Sequence, residues 1–169
     1  MPGARWFSEA KLNFAENLLR QDAASDALMF KSEEGDMRTM SRPELYQQVR
    51  AVASALRKAG VGVGDRVAGF MPNIPESLIA MLASSSIGAV WSSCSPDFGI
   101  NGVMDRFGQI EPKVLITADG YHYAGKQHDS LGVASELTES VSSINAVIVV
   151  SFINATANLS GRAASIAIS

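Results

Sequence analysis

The sequence carries a single cysteine, Cys94, and little net charge, −3 over 169 residues. One cysteine excludes an internal disulfide framework and fits a reducing compartment. The small acidic balance leaves no basic footprint for nucleic acid or an anionic membrane surface. No apolar run reaches the ~20 residues that span a bilayer. The opening stretch MPGARWFSEAKLN lacks the apolar core of a signal peptide, so the expected address is cytoplasmic. The sequons at Asn154 and Asn158 then carry no glycosylation signal. What is present is 47% hydrophobic and 18% charged residues, the make-up of an ordinary globular domain.

The middle of the chain alternates between two hydrophobic periods. Ala27 to Lys31 and Met37 to Met40 flank Ser32-Glu-Glu-Gly-Asp36, a short antiparallel hairpin with Gly35 in its turn. Ser41 and Glu44 form a capping box for a helix that aligns Leu45, Val49, Val52 and Leu56 and stops at Gly60. Arg66 to Phe70 is a short apolar strand. Asn73 and Glu76 predict a second capping box, ahead of a helix carrying Leu78, Ile79, Leu82 and Ala83. A strand through Val90 and Trp91 follows. Ser95 as cap and Pro96 as first helical residue then predict a helix with Ile100, Val103, Met104 and Phe107 inward. Val114 to Ala118 is a buried strand. A loop and a weaker helix (Leu131, Ala134, Leu137, Val141) lead to the strand Ala146 to Val150.

This alternation predicts an α/β fold: a mostly parallel sheet with helices on both faces, preceded by a short β-hairpin. Residues 1–150 form the α/β domain. Residues 151–169, with Arg162 as their one charge, read as a divergent or frayed tail. Ile148 to Val150 is then expected to present an open apolar edge through which the chain could self-associate. Ligands of such sheets sit beyond the carboxyl ends of the strands, at Met71-Pro-Asn73, Ser92 to Ser95, and Asp119-Gly120 onward.

Several motifs compete for that edge. Gly60-Val-Gly-Val-Gly64 has the wrong spacing for a dinucleotide cradle and runs from helix into strand, the reverse of what a pyrophosphate needs. Gly120 to Lys126 matches GxxxxGK after a strand. Its interior is bulky, however, and Gln127 stands where a Mg²⁺-binding hydroxyl belongs, so an ordinary surface loop is favoured. His122 and His128, without a second cysteine or a carboxylate cluster, read as solvent-facing loop histidines rather than zinc ligands. Cys94, at the end of a buried strand and outside any nucleophile elbow, reads as a small hydrophobe. No catalytic or metal-binding residue is assigned. Gly99, Gly102, Arg106 and Gln109 form a small and polar stripe opposite the apolar face of their helix. Glycine in a helix is about 1 kcal/mol worse than alanine, so two on one stripe point either to tight packing or to a docking surface with Arg106 facing an anion.

RWFSEAKLNFAENLLR (Arg5 to Arg20), GDRVAGFMPNIPESLIAMLASSSIGAVWSSCSPDFG (Gly64 to Gly99) and DRFGQIEPKVLITADGYHYAGK (Asp105 to Lys126) resemble the acetoacetyl-CoA synthetases. These are adenylate-forming acyl-CoA synthetases close to the acetyl-CoA enzymes. The resemblance runs from Pro2 to about Gly161, and WSSCSPDFG is similar to the acetoacetyl branch in particular. It implies an incomplete N-terminal portion of an acetoacetate–CoA ligase. The full-length family uses ATP, Mg²⁺ and CoA to adenylate acetoacetate and then form the thioester. The family's phosphate loop, adenine and metal segment, ribose aspartate and late catalytic lysine are not found in this sequence, so the chain alone is expected to be inactive. The resemblance further implies that Arg106, with Gln109 beside it, meets the CoA nucleotide, and that Lys126 is a second candidate for the same anionic moiety. Readings as another short-chain acyl-CoA synthetase, a stand-alone nucleotide binder or an interaction module stay open at this point.

Overall fold

A computed structural model describes residues 3–20, 25–35, 37–154 and the backbone of 164–168. Asp36 of the first hairpin turn and residues 155–163, which include the sequon at Asn158, lie outside the described residues. The elements run α1 (Phe14–Leu18), β1 (Asp26–Lys31), β2 (Met37–Ser41), α2 (Arg42–Lys58), β3 (Arg66–Phe70), α3 (Pro75–Ser86), β4 (Val90–Cys94) and α4 (Ile100–Ile110). They continue with β5 (Val114–Ala118), β6 (Gly120–Tyr123), β7 (Lys126–Asp129), α5 (Leu131–Ser140), β8 (Ala146–Val150) and β9 (Ala164–Ile168).

The main sheet has the order β4-β3-β5-β8-β9, and every neighbouring pair is parallel. β5 and β8 are buried along their whole length, which is why they read as unbroken apolar runs rather than as alternating strands. One face, with Val67, Ile116, Ile148 and Val150, packs on α2 and α3 through Leu56, Ile79 and Leu82. The other, with Phe70, Leu115, Val147 and Val149, packs on α4 and α5 through Val103, Phe107 and Leu137. The expected arrangement of helices on both faces is present. β1 and β2 form the expected antiparallel hairpin, with Gly35 at φ +96°.

The capping box at Ser41 and Glu44 forms as expected, with both reciprocal bonds made. The serine N–H and hydroxyl hold the Glu44 carboxyl below its ordinary pKa. The other two predicted helix starts are wrong. α3 is preceded by Ile74 rather than Asn73, because Pro75 takes the first helical position and the Glu76 carboxylate pairs with Arg38 at 2.9 Å instead of reaching back to the cap. α4 begins only after Gly99, with no side-chain cap, because residues 95–98 close a separate turn through Phe98 N–H to the Ser95 carbonyl. Gly99 therefore precedes the helix and is not inside it.

The tail corrects a third expectation. β9 pairs in parallel with β8 from Ala146–Ala164 to Val150–Ile168, so the edge expected to drive self-association is already occupied. Among the described residues no helix is long and apolar enough to cross a membrane.

Gly69 shows why a strand interior can require glycine. A Cβ there would stand 2.4 Å from the Trp91 ring, which lies across the β3 backbone. Gly69→Ala is expected to lower stability by about 1–2 kcal/mol, because an indole can tilt but only against its neighbours. Thermal unfolding monitored by Trp fluorescence checks this, and an unchanged midpoint contradicts it.

Candidate functional site

At the carboxyl ends of β3, β5 and β8 the chain leaves a cleft of about 450 Å³. Pro72 and Asn73 enter it after β3, Tyr121 and His122 from β6, and Ser151 and Phe152 after β8. The β1–β2 hairpin closes one side with Phe30, Glu33, Glu34 and Arg38. This is the position where open parallel sheets receive their ligands. Its lining mixes aromatic surface with charges of both signs.

Beside the cleft, Asp119 has a structural role that its place at the sheet edge in the sequence did not reveal. Asp119 follows the last residue of β5 and is 6% exposed. Its carboxylate accepts N–H groups from the loop after β8: Oδ1 from Phe152 at 2.8 Å and Ile153 at 2.9 Å, and Oδ2 from Asn154 at 2.6 Å. Its own N–H donates to the Val150 carbonyl, and its carbonyl accepts from Ser130 N–H. One buried carboxylate thereby satisfies three amides that would otherwise lack partners, and it fixes two strand ends and the start of α5. An acid placed directly after a fully apolar strand is the signal that could have found it.

Gly120 to Lys126 does not form a phosphate loop. It folds as the β6–β7 hairpin, with Ala124 at φ 53° and Gly125 at φ +70° in the turn. The two turn amides donate to Glu33, at 3.0 and 3.4 Å. The expectation that the histidines are solvent-facing loop residues is also corrected, since both are half-buried on strands. His122 and His128 lie on the paired strands, the first 3.2 Å from the Glu34 carboxylate through Nδ1 and the second stacked on Tyr121 at 5.0 Å.

None of Arg106, Gln109 and Lys126 lines the cleft. Arg106 and Gln109 are exposed on α4, and Lys126 is exposed at the start of β7. The Arg106 guanidinium sits 4.3 Å from the centre of the Phe98 ring and donates through Nη1 to the Gly102 carbonyl at 3.2 Å. The group that approaches Gly102 is the Phe98 ring, 3.4 Å from where a Cβ would stand, and nothing lies within 4 Å of one at Gly99. A Cβ at Gly102 would make only an ordinary contact with that ring, so packing requires glycine at neither position. The turn before α4 and the hairpin meet through Tyr121, whose hydroxyl lies 3.5 Å from the Pro96 carbonyl, at the outer limit of a hydrogen bond. Burial raises the Tyr121 pKa, with Asp97 adding to it. Burial likewise raises the Cys94 thiol, against the opposing charge of Arg106, so Cys94 is a packed hydrophobe with no thiolate character. Among the described residues no three His, Cys, Asp or Glu side chains converge to hold a metal ion.

Comparison with known proteins gives a consistent set of relatives. The AMP-binding enzyme family matches residues 15–166. The acetoacetyl-coenzyme A synthetase of Rhizobium meliloti (strain 1021) is 55% identical over 129 residues, 76% of this chain and 20% of its own length. The acetoacetyl-CoA synthetase of Rattus norvegicus is 41% identical over 150 residues, 88% of this chain and 22% of its own. The solved acetoacetyl-CoA synthetase from Streptomyces lividans superposes with a TM-score of 0.89 at 42% identity, over 98% of this chain and 26% of that one. The chain thus spans about a fifth to a quarter of the length of these relatives.

Proposed function

Because the chain belongs to the AMP-binding enzyme family, we propose that it is the part of an acetoacetate–CoA ligase that contributes a sheet edge and its loops to the nucleotide side of the site. The observation that carries this reading is the joint likeness, in sequence and in fold, to the acetoacetyl-CoA synthetases.

In the whole enzyme the acetoacetate carboxylate attacks the α-phosphate of ATP, giving an acyl-adenylate and pyrophosphate. The CoA thiol then displaces AMP. Such chemistry gains most from fixed positive charge and from positioning. Mg²⁺ would neutralise phosphoryl charge there; among the described residues no cluster of three His, Cys, Asp or Glu side chains marks a place for it, and no step in this chain is routed through it. The substrates are small soluble molecules, which together with the lone buried thiol fits a cytoplasmic address.

What these residues can do is bind an anion. Arg106, stacked on Phe98 and tied to Gly102, is pre-oriented and keeps further N–H donors directed outward. Gln109 lies one turn along, on the same exposed side. Lys126 stands beside two turn amides that already accommodate the Glu33 carboxylate, so a phosphate placed there must displace Glu33. These groups fit the phosphates of the CoA nucleotide.

The test is a titration of 3′-phospho-ADP and of CoA into the ¹⁵N-labelled chain, followed by amide shifts. A charge-assisted contact contributes about 1.5–3 kcal/mol, so Arg106→Ala or Lys126→Ala should weaken binding by roughly tenfold or more. Shifts are expected at 99–109 and 123–126, at millimolar affinity. Equal shifts in wild type and both variants contradict the assignment.

A further inference from the structure

Two adjacent acids at the tip of the β1–β2 hairpin reach across to the β6–β7 hairpin. Glu33 meets its turn, where Oε1 accepts the Ala124 N–H at 3.0 Å and Oε2 the Gly125 N–H at 3.4 Å. Glu34 meets its strand, with Oε2 3.2 Å from Nδ1 of His122. The turn has two residues with positive φ at both, 53° at Ala124 and 70° at Gly125, a form in which the hairpin ladder leaves the two central amides unused. A carboxylate spans those amides with its two oxygens, as a phosphate would. Lys126, the next residue, is exposed and among the described residues forms no ion pair, so Glu33 takes the amides without neutralising the cation beside them.

The hold on the turn is weak and local. Glu33 is exposed, and its second bond, at 3.4 Å, is near the limit of a hydrogen bond. The rest of the β1–β2 hairpin is anchored elsewhere: Met40 is buried, Leu28 and Phe30 pack on the core, and Arg38 pairs with Glu76 at 2.9 Å. The tip can therefore leave the turn without unfolding the hairpin. Ser32, Glu33 and Glu34 also line the cleft at the sheet edge, so the position of the tip sets access to it. We propose that Glu33 is an internal competitor for an anion site on the β6–β7 turn: a nucleotide phosphate arriving on the Ala124 and Gly125 amides beside Lys126 displaces it, and the freed tip opens the cleft. The gate rests on the CoA-nucleotide reading for the identity of the phosphate, and adds that anion binding and cleft opening are one event.

The test titrates inorganic pyrophosphate, at constant ionic strength, into the ¹⁵N-labelled 169-residue chain and into Glu33→Ala, Glu33→Gln and Glu34→Ala. Pyrophosphate reads the turn amides without needing the CoA nucleotide, so its result stands apart from that of 3′-phospho-ADP. Saturable shifts are expected at 123–126 and, in wild type, also at 32–34 as the tip leaves. Glu33→Ala should bind roughly two- to fivefold more tightly, the factor an exposed carboxylate contact is worth once it no longer competes. Glu33→Gln keeps one carbonyl acceptor and should lie between. Glu34→Ala removes the same charge from the same tip but leaves the contact with the turn, so it should gain clearly less than Glu33→Ala. Equal gains in the two alanine variants reduce the effect to net charge and overturn the proposal. Equal affinity in wild type and Glu33→Ala overturns it too, as does the absence of saturable shifts at 123–126 in all four proteins. If pyrophosphate behaves as expected and 3′-phospho-ADP does not bind, the gate stands and the CoA reading falls.

Discussion

Asp119→Ala is expected to destabilise the chain by about 3–4 kcal/mol, near the top of the range for single substitutions. Hydrogen bonds to a charged group contribute about 1.5–3 kcal/mol each, and those sharing one acceptor are not additive. The loss goes beyond the bonds themselves. The amides of Phe152, Ile153 and Asn154 would be left partly buried with no acceptor, and water would have to enter a junction that is 6% exposed at Asp119 to replace it. The loop after β8 should therefore detach, opening the cleft from the side of Ser151 and Phe152. Asp119→Asn separates bonding from charge. It keeps one carbonyl acceptor and presents an NH₂ group to the remaining amides, so its loss should lie between wild type and Ala. Urea unfolding of the three proteins checks the order, with amide exchange at 152–154 locating the effect. An Asn variant as unstable as Ala, or an Ala variant within 1 kcal/mol of wild type, contradicts the account.

Gly120→Ala should be nearly as severe, about 3 kcal/mol, although it adds one methyl group. The new Cβ falls on the His128 carbonyl oxygen, part of the β7 backbone, and stands 2.6 Å from Cδ1 of Ile153. The comparison with Gly69 decides the magnitude. There the obstruction at 2.4 Å is an indole ring, which can tilt, whereas here one obstruction is backbone in a paired strand. Relief requires breaking the Gly120–Asp129 pairing and moving the hairpin that carries Tyr121, His122 and Lys126. Altered shifts throughout 120–129 and a lower melting temperature are the expected result. An unchanged hairpin would show that β7 shifts freely.

The same two neighbours show which structure can be read from a sequence. β3, β5 and β8 were legible within a residue because burial on both faces demands continuous apolar runs. α2 was legible because its capping box and apolar period agree. The β6–β7 hairpin was hidden: its strands are four residues each, largely polar or aromatic, and its turn places Ala124 at positive φ, a conformation alanine does not advertise. β9 was hidden by composition. Small residues dominate the tail, and the alternation of Ile166 and Ile168 with Ser165 and Ala167 was its only strand signal. The Ser95 and Asn73 caps failed because a cap-type residue beside a proline is also a turn signal, and here the turn was built. Asp119 was placed only at the ligand edge of the sheet, because its structural role depends on a loop more than thirty residues away.

The central claim is that this chain supplies part of the framework of an acetoacetate-activating ligase. A chimera tests it most directly. In the Streptomyces lividans acetoacetyl-CoA synthetase, only the region that superposes on residues 3–154 of this chain is replaced by those residues, and CoA- and ATP-dependent thioester formation is compared for acetoacetate, acetate and propionate. The account predicts a folded chimera that forms acetoacetyl-CoA in preference to the other two thioesters. A folded chimera that prefers acetate or propionate, or that activates none of the three acids, contradicts it.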